Sequence, residues 1–410
     1  MRTRIINATT LEPLTGEQLG GRWLDIADGR IADVGTGAPA ALPDDVRVID
    51  AGGGTVMPGL VDAHVHILLN SIDRNEVGDW TPGYATVRAL TEAGAMLRRG
   101  FTTVRDVGGA DYGMARALDE ELFTGPRLIF GGRAISQTGG HGDLRQRGDD
   151  SQLCCQSDSG FSRIADGVDA VRTAARDEFR KGAHHLKLMV SGGVASPTDE
   201  ISAVQYTEDE IRAAVVEAEN HNRYVTVHAY HPRAVNQALR AGVRCVEHGN
   251  LIDEETIRLM VENDTFLVPT IITYEAMYQA GAASGLNAVS LAKLGQVLDG
   301  AVDALDRAHR AGVNIVYGSD LLGGLQVRQL DEFLIRARVQ PTIDVIRSAT
   351  STAARLLNME GQIGTLTPGA MADLLVLDGD PVSDITVLTT PTKSLKHVIH
   401  RGDVTDVARV

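Results

Sequence analysis

A chain of 410 residues carrying 39 Lys and Arg against 54 Asp and Glu has a formal charge of −15. That balance disfavours sequence-independent binding to nucleic acid or to an anionic membrane surface, and no basic tract opposes it. Met1–Gly20 lacks the continuous apolar core of a signal peptide, and no apolar run approaches the ~20 residues that cross a bilayer, so a cytoplasmic, soluble protein is expected. Three cysteines are too few for a disulfide framework, and the adjacent Cys154 and Cys155 would strain any ring they closed, so reduced structural or loop thiols are expected.

From the amino terminus to about Val56 the chain reads as short strands. Trp23–Ala27 and Arg30–Val34 flank an Asp28-Gly29 hairpin signal, and Val46–Asp50 continues the pattern. This segment is too short and too rich in glycine to bury a core alone. The carboxyl end supplies a partner, since after Gly361 short strands return at Asp373–Leu377 and Leu395–Ile399 between turn signals. One small β-sandwich domain, built from residues 1–57 and 360–410, is the expectation.

Between those ends, apolar strand-like runs alternate with helical periodicity. The strands are Val61–Ile67, Thr102–Val107, Arg127–Gly131, His185–Val190, Tyr224–Ala229, Cys245–His248, Phe266–Ile271 and Asn314–Gly318. Helical stretches include Val87–Arg99, Asp166–Arg180, Glu208–Asn222, Ala292–Arg310 and Ile343–Leu357. Strict alternation implies a parallel sheet, and eight such units close into an α/β fold of the (β/α)8 TIM-barrel type over residues 58–359. Pro269, inside the seventh strand, would be an awkward guest in an ordinary ladder.

Chemistry in such a barrel collects at the carboxyl ends of the strands. His64 and His66 lie two apart on the first strand, so alternation sends both imidazoles to one face, where neutral rings can grip a single ion. Alone, such a pair is more often packed or solvated. His228 and Tyr230 end the fifth strand, His248 ends the sixth and Asp320 the eighth, and four histidines with an aspartate at strand ends of one barrel point to metal. Lys187 stands in mid-strand, where burial is costly unless the ammonium is paired or neutralised. It could reach a carboxylate such as Asp106, or carbon dioxide could convert its amine to a carbamate able to bridge two metals. Charge counting favours the carbamate: two Zn²⁺ offset by Asp320, a hydroxide and a carbamate leave about +1, whereas an ammonium beside two dications would be repelled. Asp106 is expected in a fold-level salt bridge, with orientation of a ligand imidazole as the alternative. Glu247 should face the surrounding helices, away from His248, and His184, His221 and His309 should be solvated.

These residues resemble the amidohydrolase superfamily. The carrying motifs are Pro-Gly-Leu-Val-Asp-Ala-His-Val-His from Pro58 to His66, the strand-four lysine, the two later histidines and Gly318-Ser-Asp320. Within it, the chain is similar to the Xaa-Pro dipeptidase branch related to imidazolonepropionase, through Arg99-Gly-Phe-Thr-Thr-Val-Arg-Asp106, Ser136-Gln-Thr-Gly-Gly-His-Gly142, Lys187 to Thr198 and His228-Ala-Tyr230. Other members of that branch hydrolyse different N-acyl amino acids, including ochratoxin.

The resemblance implies two divalent metals, zinc by preference. His64, His66 and Asp320 would hold the more buried ion and His228 and His248 the more exposed one, with carbamylated Lys187 and a hydroxide between them. Asp320 would carry the proton from the nucleophile to the leaving amine. His141 would donate to the substrate carbonyl or carboxylate, unless it is a solvated loop histidine. Tyr230 would reach the terminal carboxylate, unless it merely packs. Because glycines let main chain approach a ligand closely, the Ser191–Pro197 loop would wall the pocket with backbone amides, unless it is only a turn, and Ile67–Pro82 would shape the pocket for the acyl side. A homo-oligomer acting on a small-molecule substrate is implied. The activity implied is cleavage of dipeptides or N-acyl amino acids with a free carboxylate, Xaa-Pro first. The rivals are a deaminase or cyclic-amide hydrolase, against which Lys187 argues, and a metal-bearing binding protein without turnover, against which Asp320 argues.

Overall fold

The computed structural model describes residues 2–37, 46–71, 76–77, 79–149, 160–196, 198–281 and 288–405. The Cys154-Cys155 pair and parts of Ile67–Pro82 lie outside the described residues. Cys245 is buried and free.

The first five strands are β1 (Thr3–Glu12), β2 (Glu17–Ala27), β3 (Arg30–Thr36), β4 (Arg47–Asp50) and β5 (Thr55–Pro58). The turn between β2 and β3 places Asp28 at φ 51° and Gly29 at φ 72°. Two left-handed residues in succession are what a tight hairpin with the right twist demands, and Asp-Gly supplies them. Pro58 and Gly59 then form the joint to the barrel. Gly59 donates its N–H to Asp373, and a Cβ there would fall 2.1 Å from Thr102 Oγ1, so the position admits glycine alone.

Among the described residues ten parallel strands follow: β6 (Leu60–Val65), β7 (Phe101–Asp106), β8 (Arg127–Phe130), β9 (Ala134–Ser136), β10 (Ser162–Ile164), β11 (Leu186–Met189), β12 (Val225–Ala229), β13 (Cys245–His248), β14 (Phe266–Val268) and β15 (Asn314–Ile315). They pair as β6-β7-β8 and as β10-β9-β11-β12-β13-β14-β15. Backbone hydrogen bonds join the two arcs into a ring. His184 N donates to Phe130 O at 2.8 Å on one side, and Ala63 N donates to Tyr317 O at 2.9 Å on the other. This is the TIM-barrel type of α/β fold, and all eight expected strands are present. β9 continues the third of them after a break, and β10 pairs on its far edge.

Three local expectations need correction. The third strand pauses at Gly131-Gly132, where Gly132 has φ +72° and a Cβ would fall 2.3 Å from Glu178 Oε2. The seventh ends at Val268 rather than Ile271, because Pro269 has no N–H to offer, Thr270 turns left-handed at φ 47°, and a helix starts at once over Ile271–Ala280. The helix expected over Ile343–Leu357 is two helices, Thr342–Ser348 and Ser351–Leu356. Its break follows from the barrel floor, since the Ser348 and Ala349 carbonyls accept from Tyr317 N and Val61 N instead of continuing the helix.

The chain closes with β16 (Leu374–Leu377), β17 (Leu395–His400) and β18 (Asp403–Thr405). β16 runs antiparallel to β5, with Leu374 opposite Pro58. The terminal segments therefore share one sheet, ordered β18-β17-β16-β5-β1-β2-β3 with β4 on β1. Ile5, Leu24, Ile26, Val56, Val376 and Ile399 pack on it as a separate apolar cluster. Among the described residues no helix is long and apolar enough to cross a membrane.

Asp373 ties sheet to barrel. It accepts from Arg127 Nη1 at 2.6 Å and from Arg401 N at 2.8 Å, with His400 Nδ1 at 3.1 Å. Against the cost of burial, His400 and Arg127 hold its carboxyl below the usual range. A lowered carboxylate stabilises fully above its unfolded value of about 3.9 and loses that contribution as pH falls below it. Asp373→Asn should therefore cost on the order of 3 kcal/mol at pH 7, with the gap to wild type narrowing toward pH 3. Urea unfolding at both pH values measures it, and an equal gap at both would exclude the charge as the cause.

Candidate metal centre and active site

His64 and His66 leave the end of β6 toward Asp320, which follows β15. Asp320 Oδ1 stands 3.3 Å from His64 Nε2 and 3.4 Å from His66 Nε2, and the three ligand atoms lie within 4.8 Å of one another. Bonds of about 2.0–2.1 Å at tetrahedral angles put ligand atoms about 3.4 Å apart, so the trio fits one zinc-sized ion. The outer ring nitrogens are also committed. His64 Nδ1 meets Glu247 Oε2 at 2.7 Å and His66 Nδ1 meets Gly108 O at 2.8 Å, which leaves each Nε2 free to coordinate.

The local sequence explains why Asp320 arrives there. Gly318 lets the end of strand eight press against strands seven and one, since a Cβ would fall 2.3 Å from Val268 Cγ1 and 2.8 Å from His64 Cβ. Asp62 then accepts from Ser319 Oγ at 2.6 Å, Gln329 Nε2 at 2.8 Å, and the backbone N–H groups of His64 and Ser319 at 3.1 Å. Asp320 itself takes φ 51° and donates its N–H to His64 O at 2.8 Å.

Glu247 does not face the helices. It lies opposite His228 in the β12-β13 register, and laterally paired residues share a face, so both enter the barrel. His248 would then point outward by alternation, but its φ of 75° turns the strand end and brings its ring to 4.6 Å from that of His228. Glu247 binds His64 on one side and Arg105 Nη2 at 2.6 Å on the other. Both charges are wholly buried. Against desolvation, Arg105, His64 and Lys187 hold the Glu247 carboxyl well below its ordinary range. Sequence reasoning missed this pair, although opposite charges in mid-strand of two apolar runs were a signal.

Asp106 makes no salt bridge among the described residues. It accepts from the N–H groups of Ile67, Gly108 and Ala110 at 2.7–3.0 Å, shaping the turn whose Gly108 carbonyl orients His66. Lys187 is 2 % exposed and forms no ion pair with a described carboxylate. Burial draws its pKa down to about 8. His228 and His248 stand beside the trio. His228 Nε2 faces Gly192 O at 3.2 Å, leaving Nδ1 available. His248 Nδ1 lies 2.8 Å from both Thr270 Oγ1 and Tyr274 OH, leaving Nε2.

Tyr230 is buried, with its hydroxyl 2.9 Å from that of Tyr274. Tyr274, on a helix outside the barrel, carried no sequence signal. His141 is not a solvated loop residue: it is 8 % exposed and stacks on His228 with centroids 4.2 Å apart. Its Nδ1 is 2.8 Å from Ser196 Oγ. Ser196 in turn has its hydrogen on Asp199, so His141 Nδ1 is the donor. His184 is half-buried, its ring edge-on to Phe130.

Residues 55–405 match the amidohydrolase family. The chain belongs to it. This amidohydrolase is accordingly a hydrolase of amide or peptide bonds. It is 33% identical to an ochratoxinase of Aspergillus niger over 98% of this chain and 86% of that one. A solved prolidase in complex with N-methylphosphonate-L-proline is 44% identical with a TM-score of 0.95, covering 99% of this chain and 100% of the other. A Xaa-Pro dipeptidase with bound methionine is 27% identical with a TM-score of 0.88 over the same shares.

Glu247→Gln keeps the shape while removing the charge behind His64. Affinity for zinc should fall about 10–100-fold, as measured by chelator competition. Unchanged affinity would mean that the carboxylate does not orient the ring.

Proposed function

We propose that this amidohydrolase is a binuclear zinc enzyme that cleaves dipeptides or N-acyl amino acids with a free carboxy-terminal carboxylate, Xaa-Pro dipeptides foremost. The observation that carries the metal reading is the convergence of His64 Nε2, His66 Nε2 and Asp320 Oδ1 at spacings a single ion would span. In this reading those three would hold one ion and His228 and His248 the other, with carbamylated Lys187 as a further ligand. Support for the carbamate comes from burial: an amine drawn to about 8 is partly unprotonated at neutral pH and so can add carbon dioxide.

When bound, the ions would supply activated water at neutral pH and polarise the scissile carbonyl. Asp320 accepts the proton released on attack and delivers it to the leaving nitrogen, a step an amide needs because its nitrogen leaves poorly until protonated. Its fixed backbone suits that transfer. His141, held through Nδ1, hydrogen-bonds the substrate's carbonyl oxygen or carboxylate. The Tyr230 hydroxyl, steadied by Tyr274, takes the terminal carboxylate. Residues 58–359 form the catalytic barrel, and residues 1–57 with 360–410 form the second domain. Its sandwich character is supported by the apolar cluster of Ile5, Leu24, Val56 and Ile399. Assembly as a homo-oligomer belongs to the same reading.

The proline preference is supported by 44% identity to a prolidase solved with a proline phosphonate. The likeness to ochratoxinase supports a second reading, in which the substrate is a bulkier N-acyl amino acid such as ochratoxin A. Turnover of a dipeptide and N-acyl amino acid library by zinc-loaded enzyme decides between them. Rates set by a carboxy-terminal proline favour the first, rates set by a large aromatic acyl group favour the second, and no hydrolysis of any member would refute both. Lys187→Ala should lose one of two zinc ions and most turnover, read by elemental analysis and the same assay. Full metal content with full turnover would sink the carbamate.

A further inference from the structure

Lys293 belongs to the long helix Ala288–Ala311, outside the barrel, yet it is 7 % exposed. Its ammonium donates to the carbonyls of Gly193 at 3.2 Å, Ser196 at 2.9 Å and Asp199, with the Asp199 carboxylate 3.5 Å away. An ammonium has three hydrogens to give, and all three acceptors come from the loop after β11. The loop wraps this group as it would a bound cation.

The same loop contacts two imidazoles. Gly192 O meets His228 Nε2. Gly193 lies against the His141 ring so closely that a Cβ would fall 2.0 Å from its Cε1. Ser196 Oγ takes the His141 Nδ1 hydrogen and donates to Asp199. The other Asp199 oxygen accepts from Gln205 Nε2 at 2.8 Å, and Gln205 Oε1 accepts from His141 N at 2.9 Å. His141 is thus held at its backbone, its ring edge and its ring face by contacts that include the loop whose carbonyls gather on Lys293.

We propose that Lys293 is a positioning residue: its ammonium holds the loop after β11 in the one shape that sets His141 and His228 for the reaction. The catalytic part rests on the amide-hydrolase reading above, whereas the ordering of the loop does not. Misplacement of a positioned group by about 1 Å can cost about 100-fold in rate, so a residue that never meets substrate can have a large effect.

The test compares wild-type holoenzyme with Lys293→Met, which keeps the length and removes charge and donors. Lys293→Gln, which keeps one amide donor, stands in if the methionine variant does not fold. Hydrogen exchange followed by mass spectrometry should be about 10-fold faster in peptides covering 190–205 and unchanged in β12 and β13. On the best library substrate, kcat/KM should fall about 10–100-fold, and the variant should add little when combined with His141→Ala. Unchanged exchange in the loop overturns the proposal whatever the kinetics. Faster exchange with losses that multiply in the double variant overturns positioning through His141. If wild type cleaves no library member, the function reading fails, and the exchange measurement still decides whether Lys293 orders the loop.

Discussion

The seam where strand eight meets strand one is the constraint from which the rest of the structure follows. Asp62 accepts four hydrogen bonds that cross or flank it, and Asp320 N donates back to His64 O. Barrel closure and assembly of the candidate centre are therefore one event. The carboxylate of Asp320 faces the imidazoles because its backbone is tied to the strand that bears them. A left-handed φ at a non-glycine residue is unfavourable in isolation, and it persists here because the surrounding bonds dictate it. The same logic applies to His248, whose backbone turn returns its ring to the interior.

Beneath the proposed ligands lies a charged layer that most barrels fill with branched aliphatic side chains. Arg105, Glu247 and Thr226 occupy it, with Cys245 alongside. Paired buried charges are rarely a net source of stability compared with apolar packing. Their presence is better explained by direction than by energy: Glu247 has one oxygen for Arg105 and one for His64, so the imidazole cannot rotate without breaking a buried hydrogen bond to a carboxylate that the ion pair holds in place.

Much of this was legible in the sequence, and the exceptions have physical causes. Periodicity gave the eight strands and the terminal sheet because burial imposes a repeat that composition reveals. The His64 and His66 pair, His228 and Asp320 were readable because alternation and strand ends constrain where side chains go. Glu247 was misread because alternation was applied through His248, where a left-handed residue breaks it. The end of the seventh strand was misjudged for a related reason, since Pro269 and Thr270 convert strand to helix with no loop between. Tyr274 and Lys293 were invisible because they come from helices outside the barrel and reach the site through tertiary packing, which leaves no local pattern.

The split sheet has a consequence for biosynthesis. β5 leads directly into the barrel, but its neighbour β16 lies about 300 residues later, and at about 5–20 residues per second its edge waits roughly 15–60 s for that partner. An unpaired edge beside a forming apolar cluster is a template for other chains. β5 is only Thr55–Pro58, and it ends in a proline that offers no N–H. The joint that aims the first histidines into the barrel thus also leaves a nascent chain little edge on which to aggregate.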